Sequence, residues 1–408
     1  MILLTSSPPL AFPRSPTVTY RRNSNPLPLG GERGPPPALS PAGAGRVWGS
    51  RAWHVHLELA TEKVTMKALL LRDYKDFVYQ DLPEPKVSED EVLIAVRACG
   101  ICGSDVHGMD GSTGRRRPPI VMGHEASGVI AEVGEKATGW YKGDRVTFDS
   151  TIYCGSCWYC QHGAINLCDA RRVLGVSCED YRQDGAFAEY VAVPHRILYR
   201  LPDAVSFERA AMVEAVSVAV HAAGRTPISL GDTAVVVGAG MIGLLVVQAL
   251  RLAGCGKIIA VDLDAERLKL AQKLGADLTL RADECDVPKE VTHCTRGRGA
   301  DLAVEVVGTS PSLNSALACV RKGGAVTLVG NLKPMVELPL QTVVTRQLTL
   351  YGSCASSGEY PACLDLMARG AIDVEALISA TPPLADGAMW FKRLYDREPG
   401  LMKVVLIP

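Results

Sequence analysis

One short loop of the sequence contains four cysteines at a spacing suited to a metal ion. They follow the pattern C-x2-C-x2-C-x7-C and are Cys154, Cys157, Cys160 and Cys168. Four thiolates this close together can surround one tetrahedral zinc ion and leave no position for a substrate, which defines a structural site. Disulfide bonds and an iron–sulfur cluster are the alternatives for these residues. The lack of an apolar secretion segment and the total of 13 cysteines favour free thiols in a reducing compartment, and we expect the cytoplasm.

A second group of potential ligands lies upstream and is more widely spaced. Cys102 belongs to the run Cys-Gly-Ile-Cys-Gly-Ser-Asp that begins at Cys99, and His124 and Glu125 follow further along the chain. A thiolate and an imidazole that a fold brings together can bind zinc and leave one coordination position open, as Lewis-acid catalysis requires. Spacing alone does not establish such a site, because single cysteines and histidines are also common as buried packing residues.

A glycine-rich turn supplies a third candidate site. Gly238, Gly240 and Gly243 form the pattern G-x-G-x-x-G between an expected buried strand over 233–237 and a helix that runs to 253. The glycines permit a tight turn, close approach of the backbone to a pyrophosphate and packing of helix on strand. The helix N-terminus then faces the anion. This pattern predicts a dinucleotide site, to which we assign Met241 and Ile242 as well.

The expected strand after this turn ends at Asp262, whose carboxylate can accept hydrogen bonds from ribose hydroxyls. Because a carboxylate there repels a 2′-phosphate, the sequence predicts NAD rather than NADP. Leu263 is expected beside the cofactor. Arg267, also assigned to this site, keeps NADP as an alternative, although its place on the next helix favours a solvated side chain.

Strands and helices alternate beyond Asp262, as in a doubly wound parallel sheet. The pattern predicts a helix over 265–274, a strand over 302–307, a helix over 312–321 and a strand over 325–329. Val329 and Gly330, where the last of these strands ends, are expected to line the nicotinamide through backbone groups. An α/β domain without a nucleotide is the alternative.

The composition argues against nucleic-acid and membrane binding. With 43 Lys+Arg against 44 Asp+Glu, the chain has no overall positive charge to attract a nucleic acid or an anionic membrane. The uncharged run 233–250 could suggest a membrane span, but its glycines favour a strand, turn and helix. Residues 1–65 hold ten of the 26 prolines. We expect a disordered extension there, either a transit segment or an over-extended start before Met66.

Together these motifs resemble one known family. The run G-H-E-x2-G-x5-G-x2-A that begins at Gly123 is similar to the signature of the zinc-containing medium-chain alcohol dehydrogenases. The Gly-Ile-Cys-Gly-Ser-Asp sequence around Cys102 is similar to the family's first-ligand motif, and the cysteine loop and glycine turn follow in the family's order. The resemblance covers 66–408. It implies an α/β fold with a GroES-like, partly open β-barrel as catalytic domain and a doubly wound Rossmann domain.

The resemblance also implies an order of domains. A catalytic domain over 66–217, with its zinc lobe at 150–170, would precede an NAD-binding domain over 218–350. The segment 351–408 would return to the catalytic domain. Members of this branch resemble one another in forming homo-oligomers, and we expect a tetramer rather than a dimer.

The roles of the site residues follow from the same resemblance. It implies a catalytic zinc ion held by Cys102, His124 and Glu125, with Glu214 as an alternating or outer ligand. Ser104 would pass the proton of a substrate hydroxyl toward solvent, with His107 as a relay, while the hydride goes to NAD.

The segment around Glu214, Met-Val-Glu-Ala-Val-Ser, is similar to the polyol branch of the family, which includes sorbitol dehydrogenases. We therefore expect oxidation of a secondary hydroxyl of a polyol to a ketone. After Gly352 the chain lacks the arginine that contacts substrate in sorbitol dehydrogenases, so the polyol stays open. The alternatives are a threonine 3-dehydrogenase, a sugar-alcohol-phosphate dehydrogenase that uses the basic run 115–117, and a non-enzymatic zinc protein.

Overall fold

The structure, a computed structural model, describes residues 65–408. The expected extension over 1–65 lies outside the described residues except for Thr65. Within the described range the chain forms twenty strands: β1 (Thr65–Asp73), β2 (Asp76–Pro83), β3 (Glu91–Gly100), β4 (Ile120–Val121), β5 (Glu125–Val133), β6 (Arg145–Phe148), β7 (Thr151–Ile152), β8 (Arg172–Val173), β9 (Val176–Ser177), β10 (Arg182–Gln183), β11 (Tyr190–Pro194), β12 (Leu198–Arg200), β13 (Thr233–Val237), β14 (Lys257–Asp262), β15 (Leu278–Arg281), β16 (Ala300–Glu305), β17 (Val320–Leu328), β18 (Thr349–Gly352), β19 (Ile378–Ala380) and β20 (Lys403–Leu406).

The same residues form eleven α-helices: α1 (Gly103–Gly108), α2 (Trp158–Gln161), α3 (Phe207–Ala210), α4 (Val213–Arg225), α5 (Met241–Leu252), α6 (Ala265–Lys273), α7 (Val287–Cys294), α8 (Ser310–Cys319), α9 (Leu340–Thr345), α10 (Tyr360–Ala368) and α11 (Gly387–Tyr395). Across residues 65–408, every helix is too short or too polar to cross a lipid bilayer.

The N-terminal half is built around the long strand β3. A seven-stranded sheet has the order β12-β6-β5-β3-β20-β19, and β11 also pairs with β3. The pairing of β3 with β5 shifts register twice, between Leu93 and Ile94 and between Val96 and Ala98. Such bulges bend a strand, which helps β3 to serve three partners. Side chains such as Ile94, Phe148 and Phe187 fill the interior. This arrangement agrees with the expected partly open barrel.

The parallel sheet has the order β15-β14-β13-β16-β17-β18, with every pairing parallel. Its central strand β13 has the bounds that the sequence predicts. Alternate residues of β13 enter two different cores, Ala234 and Val236 on one face and Val235 and Val237 on the other. A strand that is buried on both faces has a continuous apolar sequence, as β13 does. The predicted doubly wound sheet is confirmed.

Several element boundaries differ from the prediction, two of them because of local hydrogen bonds. Strand β16 ends at Glu305, not at 307, since Oε1 of Glu305 accepts the N–H groups of Val307 and Gly308 at 2.9 and 2.8 Å. Helix α8 begins at Ser310, not at 312, because the Thr309 side chain caps it. Strand β17 begins at Val320 rather than 325, directly after α8. Strand β15 and helix α7 were absent from the prediction.

Helix α4 and the C-terminal segment connect the two halves. The buried side chains of α4 belong to the same core as Tyr360, Cys363 and Leu364 of α10. Strand β20 then pairs with β3, so that Val405 lies opposite Gly100. The expected domain limit at 217/218 falls inside α4, and the limit at 350/351 falls inside β18.

Candidate functional site

Three potential metal ligands meet where β3 ends and β5 begins. Cys102 directly follows β3 and is the N-cap of α1, while His124 and Glu125 stand at the start of β5. The antiparallel pairing of these strands places Glu125 opposite Gly100. One ligand atom from each of the three side chains lies within 4.8 Å of the others. His124 and Glu125 are buried and Cys102 is half-buried, so the group is closed on the protein side.

This donor set fits a zinc ion. A thiolate, an imidazole and a carboxylate are all ligand types that zinc accepts. Oε1 of Glu125 is buried and has no hydrogen-bond partner among residues 65–408, a costly arrangement that a bound cation would relieve. Nδ1 of His124 is also buried without a hydrogen-bond partner among residues 65–408 and lies 3.4 Å from Oδ1 of Asp105. If Nε2 were the ligand atom, Nδ1–H would face this carboxylate.

The other carboxylate oxygen of Glu125 is held by a lysine. Lys403 on β20 pairs with Oε2 of Glu125, and neither side chain is exposed. Nζ of Lys403 also donates to the carbonyl oxygen of Ile101 at 3.1 Å. The ion pair therefore orients Glu125 with its free oxygen in the ligand group.

The side of the group next to α1 is open. Ser104 is exposed, and its hydroxyl donates to Sγ of Cys102 at 3.3 Å. His107 is exposed one turn further along α1, on the same face as Ser104. Glu214 stands in the first turn of α4, outside the group of three ligands. Burial and the nearby Glu125 carboxylate raise the pKa of Glu214 to about 7.

The four cysteines of the loop after β7 also come together. Ligand atoms of Cys154, Cys157, Cys160 and Cys168 lie within 4.8 Å of one another. All four are free, and Sγ of Cys160 lies 3.4 Å from Sγ of Cys157 and 4.0 Å from Sγ of Cys154, too far for a disulfide bond. Backbone N–H donors, first that of Ser156, lower the pKa of Cys154 to about 6, which favours its thiolate. The donor set fits a closed tetrahedral zinc site.

The glycine turn joins β13 to α5 at the carboxyl edge of the parallel sheet. Gly240 is the N-cap of α5, which begins with Met241 and Ile242. A Cβ atom at Gly243 would lie 1.8 Å from the carbonyl oxygen of Gly238, so only glycine permits this packing of helix against turn. A Cβ atom at Gly240 would have no atom within 4 Å, and the free N–H groups of a helix N-terminus beside such open space suit a phosphate.

Asp262 ends β14 beside this turn. Its Oδ2 accepts the N–H of Ala239 at 2.6 Å, and its Oδ1 accepts those of Leu263 and Asp264 at 2.8 and 3.0 Å. Lone pairs remain for a further donor, since a carboxylate has about four acceptor positions. Leu263, the next residue, is 64% exposed.

The remaining predicted cofactor residues lie on two sides of this edge. Arg267 on α6 is half-buried, with Nε 3.7 Å from Oδ2 of Asp264. Val329 and Gly330 follow β17, and both N–H groups donate to the carbonyl oxygen of Glu305. Glu305 itself is buried and caps the turn after β16, which indicates a structural role.

Three charged residues of the site were missed in the sequence. Asp105 beside His124 could have been recognised from its place at the end of the Cys-Gly-Ser-Asp motif. Lys403 has no local signal, because it lies 278 residues from Glu125. The basic run 115–117 is typical of a solvated loop in sequence. In the structure, however, the side chain of Arg116 is only 4% exposed and pairs with Asp105.

Two family models match the chain. One, described as the alcohol dehydrogenase GroES-like domain, matches residues 88–203, and one described as zinc-binding dehydrogenase matches residues 242–369. The first match contains Cys102, His124 and Glu125, and the second begins at Ile242, inside the glycine turn, and contains strands β14 to β18 of the parallel sheet.

Curated relatives and solved structures give the same result. A sorbitol dehydrogenase of Bacillus subtilis (strain 168) is 35% identical over 348 residues, which are 84% of this chain and 97% of that protein. A D-arabitol-phosphate dehydrogenase of Enterococcus avium is 35% identical over 79% of this chain and 92% of its own length. The crystal structure of a 2R,3R-butanediol dehydrogenase from Bacillus subtilis superimposes with a TM-score of 0.76 at 33% identity, covering 84% of this chain and 99% of that one.

Proposed function

The chain belongs to the zinc-containing medium-chain alcohol dehydrogenase family, and on this premise we propose that it oxidises a secondary hydroxyl of a polyol to a ketone and transfers the hydride to NAD. The observation that carries the proposal is the ligand group of Cys102, His124 and Glu125, closed toward the protein and open toward Ser104. Three protein ligands with an open position are typical of a catalytic zinc site, not of a structural one.

The reaction separates a proton and a hydride from one carbinol. When bound, zinc supplies Lewis acidity that lowers the pKa of a substrate hydroxyl, and NAD supplies the hydride acceptor. Ser104 stands at the open side and takes up the hydroxyl proton while it releases its own. His107 lies on the same face of α1, toward solvent, and receives that proton. We assign to Glu214, whose pKa the Glu125 carboxylate helps to raise, the role of an outer carboxylate for the site.

The four-cysteine loop is proposed as a second, structural zinc site. Its sulfur atoms leave no ligand position for substrate, and it lies in the segment 150–170. Because the loop's cysteines are spaced for a metal ion and the chain has many further cysteines, 13 in all, we infer a reducing compartment, the cytoplasm.

NAD is the proposed cofactor because Asp262 lies at the ribose end of the site. A carboxylate there accepts hydrogen bonds from a 2′-hydroxyl and repels a 2′-phosphate. Met241, Ile242 and the three glycines line the pyrophosphate, Leu263 covers the adenosine, and Val329 and Gly330 lie toward the nicotinamide. Arg267 is the residue that a 2′-phosphate would use, and its proximity to Asp264 weakens that alternative.

The relatives named sorbitol dehydrogenase and D-arabitol-phosphate dehydrogenase support a polyol as the substrate. The basic run 115–117 offers little to a phosphorylated polyol, because Arg116 is paired with Asp105 and Arg117 with Glu179. We therefore favour an unphosphorylated polyol.

We also propose that each chain consists of a catalytic domain, formed by 66–217 together with 351–408, and an NAD-binding domain over 218–350. We further propose a homo-oligomer, a tetramer rather than a dimer. Strand β18 is an edge strand of the parallel sheet in the described part of the chain. Met335, Leu340 and Val344, close to this edge in the sequence, are 87%, 64% and 68% exposed. Exposed apolar side chains at a sheet edge suit contact with a second copy.

The test is NADH absorbance with a panel of sugar alcohols, sugar-alcohol phosphates, threonine and simple alcohols. Turnover should be greatest with a polyol, vanish on complete chelation and return when zinc is restored. Ser104→Ala should lower kcat by about a hundredfold at unchanged zinc content. Turnover that survives complete loss of metal would contradict the proposal.

A further inference from the structure

Arg116 is buried against the ligand group, although it lies in a loop of three consecutive arginines. Its Nε and Nη2 atoms donate to Oδ1 of Asp105 at 3.1 and 2.8 Å. Asp105 has no exposed surface and Arg116 is only 4% exposed. A fully buried ion pair of this kind fixes the orientation of both side chains.

The same guanidinium also reaches the proposed proton acceptor. Nη2 of Arg116 donates to Oγ of Ser104 at 3.3 Å, and Nη1 donates to the carbonyl oxygen of Arg115 at 3.0 Å. Because Arg116 occupies one lone pair of the Ser104 hydroxyl, the remaining lone pair and the proton of this group point in restricted directions.

Asp105, which is held by Arg116, also contacts two of the proposed zinc ligands. Its Oδ1 lies 3.4 Å from Nδ1 of His124, and its Oδ2 accepts the N–H of Cys102 at 3.4 Å. Arg116 is therefore connected through Asp105 to His124 and Cys102, and directly to Ser104. Partners that orient zinc ligands in this way change metal affinity or activity by about 10- to 100-fold when they are removed.

Helix α1 is shaped to admit the arginine. A Cβ atom at Gly108 would lie 2.6 Å from Cγ of Arg116 and 3.2 Å from Oγ1 of Thr113. The absence of a side chain at Gly108 thus opens the path along which Arg116 enters the site, an observation independent of the hydrogen bonds.

We propose that Arg116 is a positioning residue that holds the catalytic zinc ligands and Ser104 in one geometry through its contacts with Asp105 and Ser104. This inference rests on the proposed zinc dehydrogenase function and deepens it. Arg115 and Arg117 have no such role, and Arg117 is 46% exposed and paired with Glu179.

The test compares Arg116→Met and Arg116→Lys with the matched control Arg117→Met. Zinc transfer to a chromophoric chelator gives separate release rates for the two zinc ions, and the absorption of the Co²⁺-substituted enzyme reports ligand geometry. In Arg116→Met we expect release from the first site to be about 10- to 100-fold faster, a changed Co²⁺ spectrum and a lower kcat at similar KM. Arg116→Lys should recover part of each change, and Arg117→Met should match the wild type.

Release from the four-cysteine site is the internal control for folding and should stay constant in all variants. If Arg116→Met does not fold, the same measurements on Arg116→Lys decide, because lysine keeps the buried charge but has one nitrogen atom in place of the three of the guanidinium. Wild-type release rates and an unchanged Co²⁺ spectrum in the folded variants would overturn the inference. A wild-type enzyme with only one zinc ion, or without dehydrogenase activity, would instead refute the proposed function.

Discussion

Lys403 and Glu125 form an ion pair in which neither side chain is exposed, although 278 residues separate them in the chain. Burial alone would lower the pKa of Lys403, but the Glu125 carboxylate, together with Cys102 and Glu214, outweighs burial and raises that pKa. The last strand of the protein thereby supplies the counter-ion for a residue of the ligand group. The pairing of β20 with β3 is thus a condition for the site as well as for the sheet.

Lys403→Met should destabilise the protein strongly, since it leaves the Glu125 carboxylate buried without its partner. Removing one member of a buried ion pair typically costs about 3–5 kcal/mol. The free energy of unfolding in urea, followed by tryptophan fluorescence, measures this loss. The exposed pair of Lys392 with Asp396 provides the control, because Lys392→Met should cost less than about 1 kcal/mol.

The double variant Glu125→Gln/Lys403→Met removes both charges and should recover much of the stability but not the activity. If the free energy of unfolding of Lys403→Met lies within about 1 kcal/mol of the wild-type value, the pair does not stabilise the fold.

Local patterns could be predicted from the sequence, whereas contacts between distant segments could not. The bounds of β13, the cysteine loop and the glycine turn depend on residues within a few positions of one another. Arg116 was misjudged because its burial depends on the space left by Gly108 and on Asp105 across the turn. Lys403 could not be found without the register of β20 on β3, since its partner belongs to another part of the chain.

Cys168→Ser should remove one of two zinc ions. Cys168 is the buried member of the four-cysteine group, and the loss of one thiolate from a tetrahedral site opens it to water and chelators. We expect zinc content to fall from about two ions per chain to about one, measured by atomic emission on the purified protein. Cys178→Ser, a half-buried cysteine outside the group, should keep both ions. Equal zinc content in the two variants would argue against a structural site here.

Asp262→Asn should shift cofactor preference toward NADP. The substitution removes the charge that repels a 2′-phosphate and leaves a carbonyl oxygen to accept the N–H of Ala239. The ratio of kcat/KM for NAD to that for NADP should fall at least about tenfold, which corresponds to about 1.4 kcal/mol. The control is Asp264→Asn, because Asn also caps a helix well and α6 should remain intact. A ratio that changes equally in both variants would locate the effect in the loop, not in the Asp262 carboxylate.

Asp301→Asn should weaken the parallel sheet in a pH-dependent way. Oδ1 of Asp301 accepts Nε of Arg321 at 2.8 Å, and Oδ2 accepts Nη2 of Arg298 at 2.9 Å and the N–H of Thr233 at 3.0 Å. Burial would raise the pKa of Asp301, but the Thr233 N–H and the two arginines lower it below its usual value. A carboxylate with a lowered folded-state pKa stabilises the fold above its ordinary pKa, near 4, and loses that contribution as the pH falls through the folded-state value.

Asp301→Asn should therefore lower the free energy of unfolding by about 2 kcal/mol at neutral pH. This difference from the wild type should stay constant down to about pH 5 and become smaller at more acidic pH. Urea unfolding of wild type and variant, both stripped of metal, measures this difference without interference from zinc release. Asp283→Asn, whose partner Arg281 lies on the surface, should show no measurable loss at any of these pH values. Because protonation removes the same charge that the substitution removes, the difference has to shrink on acidification. A difference that grew instead would mean that Asp301 is protonated in the folded protein and that the contacts of Arg298 and Arg321 stabilise the sheet by another route.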